Sequence, residues 1–322
     1  AINDDIYYIK ISKSLNDYIN IVIIAAAVVA SLNLLVLISS AINISKTTKK
    51  MLKPIDNMTN TAKSISANHL DRRLDVIESH DELKELAETF NEMLDRLQRA
   101  YEQQNQFVSD ASHELRTPIA VIQGYANMLN RWGKEDKAVL EESIAAINSE
   151  ANNMKELVEK LLFLARADKR TQKLQKGEFY LNELIDEIAK ETKLIDNKHS
   201  FICERNDVVL IYADRALIKQ ALRIFIDNSI KYTPEGGTIK LNSSRDPNGL
   251  AISIEDTGIG IAKEDISKVF DRFYRCDKSR TRNTGGTGLG LSIAKWIIDN
   301  HNGSIEIDSV LNQGTKVTIH LL

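Results

Sequence analysis

The residue best placed for chemistry is His113, in the run FVSDASHELRTPI from Phe107 to Ile119. An exposed imidazole is a nucleophile near neutral pH, and Glu114 beside it can take the proton from the other ring nitrogen. Thr117 follows one helical turn later, where it can orient a water molecule or simply occupy the helix face beside Pro118. A second group stands further along the chain. Asn228, Lys231 and Tyr232 lie at i, i+3 and i+4 in IDNSIKY and so share a helical face. An amide oxygen can ligate Mg²⁺, an ammonium can pair with phosphate, and a phenol can flank a base. Asp256, Gly258 and Gly260 follow in EDTGIGI, where a carboxylate ending a strand is a lone acceptor for an exocyclic amine such as that of adenine. FDRFYR, Phe270 to Arg275, adds Arg275, with Lys278, Arg280 and Arg282 beyond it. TGGTGLGLSIAK then places Gly286, Thr287, Gly288, Leu289 and Gly290 in a glycine-rich loop that runs into a helix. Such a loop holds anionic phosphates on backbone N–H groups. Together the four segments point to a phosphate-bearing nucleotide.

Several elements must position these groups. Val108, Ala111, Leu115, Ile119, Ile122, Ala126 and Leu129 recur at spacings of three and four, which predicts a helix with His113 off its apolar face and turned to solvent. That helix is expected to run from about Asp81 to Arg131 and to end at Trp132-Gly133. Pro118 lacks a backbone donor and is expected to loosen the helix just past His113. A second helix carries Leu140, Ile144, Ile147, Ala151, Met154, Val158, Leu161 and Ala165. Two antiparallel helices with long apolar seams call for dimerisation into a four-helix bundle over residues 100–170. From residue 176 to 322 the pattern changes to α+β. Helices are expected at Leu181–Lys193 and Asp214–Lys231, the latter capped by Asp214. Strands are expected at Ser200–Glu204, Asp207–Tyr212, Gly237–Ser243 and Leu250–Glu255, with a hairpin of Ser304–Asp308 and Thr315–Leu321 around Asn312-Gln313-Gly314. These elements suggest a sandwich of one mixed sheet faced by helices.

Tyr18 to Ser45 holds no charged residue and exceeds the roughly 20 residues that a membrane-spanning helix needs. Asp4, Asp5 and Asp17 precede it, whereas Lys46, Lys49, Lys50 and Lys53 follow. By the positive-inside rule the chain after Lys46 is cytoplasmic, so one helix contacts membrane lipid at the inner, cytoplasmic membrane. Residues 1–17 are expected to be the remnant of an extracytoplasmic region of a longer receptor. Met51, Ile55, Met58, Ala62 and Ile65 step by four and three, and Leu83, Leu86, Phe90, Leu94, Leu97 and Tyr101 do the same after a loop with Asn68, His69 and Asp71 to Asp75. Two short helices with such stripes predict a parallel four-helix coiled coil over residues 46–99, with Pro54 tolerated in a first turn.

Composition narrows the class. Charged residues make up 27% and aromatics 6% of 322 residues, which fits long helices better than a β-rich enzyme. A net charge of −3 gives no reason to expect nucleic-acid binding. Cys203 and Cys276 lack CxxC or metal-ligand spacing and read as unpaired thiols in a reducing compartment. The chain has neither GxxxxGK[ST] nor the HRD and DFG runs, which excludes P-loop proteins and kinases of the serine or tyrosine type.

Around Lys53 the run KPID, with DELKELAETFNEML from Asp81, resembles the HAMP signal-relay module. SHELRTPI resembles the phosphoacceptor box of bacterial two-component sensor histidine kinases, IDNSIKYTPEGG their asparagine box, and DTGIGI and GGTGLGLSIAK their two glycine boxes. The resemblance covers roughly residues 46–322. It implies ATP and Mg²⁺ as cofactors, His113 as phosphoacceptor, Glu114 as general base and Thr117 as the residue positioning water for phosphatase activity. It implies Asn228 as Mg²⁺ ligand, Lys231 as phosphate partner, Asp256 as adenine reader and Asp277 to Thr287 as a lid. It also implies a homodimer that relays phosphoryl groups to a cytoplasmic response regulator; the expected docking surface lies just past His113, on Ala120–Arg131 with the facing second helix. The family often carries a second asparagine where this chain has Ile224. The rival readings are an ATPase of the gyrase and Hsp90 superfamily, and a receptor scaffold with a degenerate ATP site.

Overall fold

The computed structural model describes residues 8–11, 13, 15–65, 69–74, 81–132, 136–169, 171–246, 249–276 and 286–321. Asp4, Asp5, Asn68, Asp75, Gly133 and the Asp277–Gly285 part of the expected lid lie outside them. Two compact units divide the chain, residues 1–103 and 104–322.

In the first unit α1 spans Leu15–Ser64 without a break. The most apolar 18-residue window within its Tyr18–Lys49 portion has mean hydropathy 2.9 and none of it is buried, so this portion is long and apolar enough to cross a membrane. The expectation of a separate helix after the membrane is corrected: Pro54 falls inside α1, not in a first turn. The helix runs on through Pro54, the residue type least suited to a helix interior, and reaches Ser64. α2 spans Asp81–Trp132. Leu74 of the connector is buried, as are Ala87 and Leu94 of α2. Asn91 brackets Leu74, accepting from its N–H at 2.8 Å and donating to its carbonyl at 3.0 Å. Arg73 donates to Asp95 (2.6 and 2.8 Å) and to Gln98 (2.7 Å). The connector is thereby laced to α2 by side chains that satisfy its backbone.

In the second unit α2 continues through Pro118 as helix, so the expected weak point is not a break. α3, Lys137–Asp168, starts on Asp136, whose carboxylate accepts from Ala138 and Val139 N–H. Its two faces have different fates. Leu140, Ile144 and Val158 of the heptad stay exposed, while Leu157, Leu164 and Ala167 are buried. Phe163 meets Trp296 edge-on at 5.3 Å.

The α/β part has two sheets, not the single one expected. β1 (Gly177–Tyr180) was not anticipated; it is short and pairs antiparallel with β3 (Leu210–Ala213). Ribbon pairing of these strands leaves Tyr180, Leu210 and Tyr212 exposed, which blurs the alternation that marks a strand. The main sheet has the order β2-β4-β5-β7-β6. Its members are β2 (Ser200–Ile202), β4 (Thr238–Asp246), β5 (Gly249–Asp256), β6 (Ser304–Val310) and β7 (Gly314–Leu321). β2 runs parallel to β4 and the other pairings are antiparallel. α4 (Leu181–Ile195), α5 (Arg215–Tyr232) and α6 (Gly290–Asn300) pack against this sheet. Leu250, Ile252, Ile254 and then Asp256 alternate onto the core side of β5. Period-two geometry therefore delivers the acidic residue to the end of the apolar face.

Asp214 caps α5 by accepting from Leu217 N–H at 3.1 Å. Its own N–H donates to Nε2 of buried His301 at 3.0 Å. Because Nε2 accepts, Nδ1 must donate to Ile297 O (2.7 Å), which requires the neutral ring. Burial pushes the His301 pKa below its ordinary 6.5. A depressed histidine stabilises the fold fully above the unfolded value and loses that contribution as pH falls through the folded one. The domain should therefore melt at lower temperature as pH drops below about 6.5, and His301→Gln should flatten that slope in calorimetric melts between pH 7.5 and 5.

Candidate functional site: a nucleotide cleft

One cleft of about 1550 Å³ opens beside α5. It is lined by Asn228, Lys231, Tyr232, Asp256, Gly260, Arg275, Gly286, Thr287, Gly288 and Gly290. α5 turns Asn228, Lys231 and Tyr232 there because its other face is committed to the core through Leu217, Ile218, Ala221, Leu222, Phe225 and Ile226. Gly258 is buried and is not among the residues that line the cleft; its N–H donates to Asp256 Oδ1 at 3.0 Å. Leu289 is fully buried in the core as the residue preceding α6, so its side chain anchors the loop rather than lining the cleft.

Asp256 is not the lone acceptor that the sequence suggested. Oδ1 accepts from the N–H groups of Gly258 and Thr315 (3.2 Å), and Oδ2 accepts from the Ser229 hydroxyl at 2.8 Å. Gly314 makes this possible: a Cβ there would sit 1.9 Å from Asp256 O, so only glycine lets β7 come so close. Burial raises the Asp256 pKa, and the three hydrogen bonds pull against it, Ser229 most strongly. Burial lowers the Lys231 pKa, helped by the charges of Arg275 and Lys160. The gathering of Lys231, Arg275 and Lys160 along the lining suits an anionic phosphate, which would relieve their mutual repulsion. A Cβ on Gly286 would lie 2.4 Å from Lys231 Nζ, which puts the ammonium against the glycine-rich loop. Gly288 has φ +69°, and its carbonyl accepts from Phe273 N–H at 2.9 Å.

The residues fit a nucleotide. Thr233 lines the cleft with a buried hydroxyl that has no hydrogen-bond partner, a polar atom that a ligand would satisfy. No cluster of three or more His, Cys, Asp or Glu suited to a metal occurs among the described residues. Asn228, half-buried in the cleft, offers a single amide oxygen, which suits an Mg²⁺ ion held mainly by phosphates. Ile224 also lines the cleft, 3.1 Å from where a Gly290 Cβ would stand, so an apolar contact replaces the amide usual at that position.

FDRFYR divides its work. Tyr274 and Arg275 line the cleft. Arg272 instead turns to the helices, with a two-pronged pair to Asp168 (2.6 and 2.8 Å) and its guanidinium 5.3 Å from the Phe107 ring. Phe273 lies 5.8 Å from the same ring, with a positive φ of 60°. His113 and Thr117 are exposed on α2 and Glu114 is half-buried; none lines the cleft. Thr117 Oγ1 lies 3.5 Å from His113 O. Sequence reasoning missed Ser229, Thr233 and Thr315. A serine beside the asparagine was readable as a residue, but its partner is 27 positions away.

The fold and cleft define a nucleotide-binding domain joined to a histidine-bearing helical hairpin. Three family models match: the HAMP domain (residues 46–99), the His Kinase A phospho-acceptor domain (103–170), and the histidine kinase-, DNA gyrase B- and HSP90-like ATPase (213–322). The signal transduction histidine-protein kinase ArlS of Staphylococcus haemolyticus is 40% identical over 271 residues, covering 84% of this chain and 60% of its own length. ArlS of Staphylococcus aureus is 37% identical over 313 residues, covering 97% of this chain and 69% of its own. The chain thus spans about two thirds of these relatives. Among solved structures, the Acinetobacter baumannii histidine kinase AdeS superposes with TM-score 0.51 at 27% identity, over 65% of this chain and 96% of its own. The histidine kinase ThkA in complex with response regulator protein TrrA superposes with TM-score 0.53 at 26% identity, over 67% and 60%. The chain belongs to the signal-transduction histidine-protein kinases, and its ATPase-family domain implies ATP binding.

Gly288→Ala tests the loop. A Cβ there meets the Phe273 backbone at 2.7 Å and forces a left-handed alanine, a strain of about 1–3 kcal/mol. The expected outcome is a loss of ATP affinity of roughly tenfold or more, read by titration with a fluorescent ATP analogue, with a smaller fall in melting temperature.

Proposed function

We propose that the chain is a membrane sensor kinase that autophosphorylates on His113 from Mg-ATP, passes the phosphoryl group to an aspartate of a response regulator, and dephosphorylates that regulator. The observation that carries this reading is the convergence of Asn228, Lys231, Asp256 and the Gly286–Gly290 loop on one cleft, in a chain that presents His113 to solvent on α2. A superfamily ATPase would use the same cleft but would have no use for the His113–Glu114 pair.

In the proposed reaction a ring nitrogen of His113 attacks the γ-phosphorus of ATP. The new N–P bond forms as the bond to the β,γ-bridging oxygen breaks, and ADP leaves. Glu114 takes the proton from the other ring nitrogen. Lys231 and Arg275 neutralise phosphate charge, and backbone N–H groups of Gly286–Gly290 orient it, because phosphoryl transfer depends mainly on positioning and charge. Asp256 holds the adenine end. Mg²⁺, held by Asn228, would supply further neutralisation of the phosphates.

His113 lies outside the cleft lining, so donor and acceptor must approach each other, within one subunit or across a homodimer. The exposed heptad of α3 supports that dimer, since one hairpin leaves Ile144 and Val158 in water. The regulator is proposed to dock on Ala120–Arg131. The apolar α1 segment, followed by Lys46, Lys49 and Lys53, supports one membrane crossing with the later domains in the cytoplasm.

His113→Gln should abolish acid-labile, alkali-stable label from γ-labelled ATP while ATP binding stays within about twofold. Equal labelling of both proteins would move the acceptor elsewhere, and steady phosphate release without label would favour the ATPase. Thr117→Ala should retain autophosphorylation but slow regulator dephosphorylation by about tenfold or more, measured with purified phospho-regulator. An unchanged rate would leave Thr117 as a helix-face residue.

A further inference from the structure

Ser229 is 95% buried on α5 and sits between the core face and the cleft. Its hydroxyl donates to Asp256 Oδ2 at 2.8 Å, while both backbone donors, Gly258 and Thr315, converge on Oδ1. A carboxylate offers about four acceptor positions, two on each oxygen. Three are taken here, and the one left belongs to Oδ2, the oxygen that Ser229 alone restrains. A ligand donor therefore has one place to bind, and its direction depends on where the serine holds Oδ2.

We propose that Ser229 is a positioning residue for purine recognition, fixing Asp256 Oδ2 so that its remaining lone pair meets the 6-amino group of adenine. The inference rests on the reading of Asp256 as the adenine contact and adds to it the group that sets its geometry. Ser229 makes no bond to the reacting phosphate in this scheme, so it acts on nucleotide choice rather than on the transfer step. Without the hydroxyl, Oδ1 keeps its two backbone bonds, but Oδ2 loses its tether and a buried acceptor position is left unpaired. The Ser229 bond is also the strongest of those opposing the effect of burial on this carboxyl, so its loss favours the protonated form, a poorer acceptor for an amine.

The test compares ATP with purine riboside triphosphate, in which hydrogen replaces the 6-amino group. Dissociation constants for both are measured on the full chain in detergent micelles, by competition with a fluorescent ATP analogue, for wild type, Ser229→Ala and Asp256→Asn. Melting curves without nucleotide report on folding. Wild type should prefer ATP by about tenfold or more, as expected for a hydrogen bond to a charged group. Ser229→Ala should weaken ATP about five- to twentyfold and leave the analogue within about twofold, so that the preference collapses toward that of Asp256→Asn. In autophosphorylation assays the same variant should raise KM for ATP with kcat nearly unchanged. Ser229→Thr, which keeps the hydroxyl, should restore the preference for ATP. If Ser229→Ala weakens both nucleotides equally, or neither, the positioning role is wrong and the serine merely satisfies a buried acid. If wild type binds both nucleotides equally, the adenine reading of Asp256 fails first and the inference falls with it.

Discussion

The ATP-family domain depends on one constraint: α5 must bury one face completely. Leu222, Ile218 and Ile226 have no exposed surface, and each buried side chain of this size contributes about 1.5–3 kcal/mol. A rotation of α5 by one residue would forfeit several of these contributions at once. Asn228, Lys231 and Tyr232 have no such anchoring of their own, so their direction is inherited from the core. β5 imposes the same discipline through alternation, which carries Asp256 to the core side one step past Ile254. Ser229 stands where the two patterns meet. A hydroxyl at the last turn of the core face and a carboxylate at the last step of the core strand satisfy each other there, and the cleft begins at that bond.

The helical hairpin is governed by a conflict between its two faces. In α3, Leu157 and Leu164 join the α/β core, while Leu140, Ile144 and Val158 of the heptad stay exposed. One helix thus serves two kinds of neighbour, and the proposed dimer claims the face that the ATP-family domain leaves open. The polar part of the contact between α/β domain and hairpin is modest. Arg272 and Asp168 remain 33% and 52% exposed, and pairs of that kind contribute about 0–1 kcal/mol. The Phe107–Phe273 contact adds about 0.5–1.5 kcal/mol. Interactions of this size can be exchanged at moderate cost, which a reaction between His113 and a separate cleft requires. Phe273 also bonds Gly288 through its backbone, so the same turn touches both the hairpin and the phosphate loop.

The motifs and most of the elements were legible in the sequence because they rest on local rules. Helical periodicity placed α2 and α3, Asp214 announced the start of α5, and glycines before α6 marked a phosphate loop. Period-three and period-four spacing turned His113 outward, where the structure has it. Less was legible where the signal is weak or absent. β1 is four residues of a two-stranded ribbon with little burial, and the single expected sheet became two. α1 was read as two elements because its composition changes at Lys46, yet composition is not a helix breaker and the backbone runs on through Pro54.

Residue types, their spacing along each element and the chemistry available to them were determined by the sequence alone, since these follow from covalent structure and helical or strand period. The partners of those residues were decided by the tertiary structure. Ser229 meets Asp256, Thr315 and Gly314 approach the same carboxylate from β7, and Arg272 leaves the nucleotide motif for Asp168 across 104 positions of chain. Such contacts join segments that no local rule connects. They are chosen by which apolar faces pack together, and hydrogen bonds then form among the polar groups that the packing brings within reach.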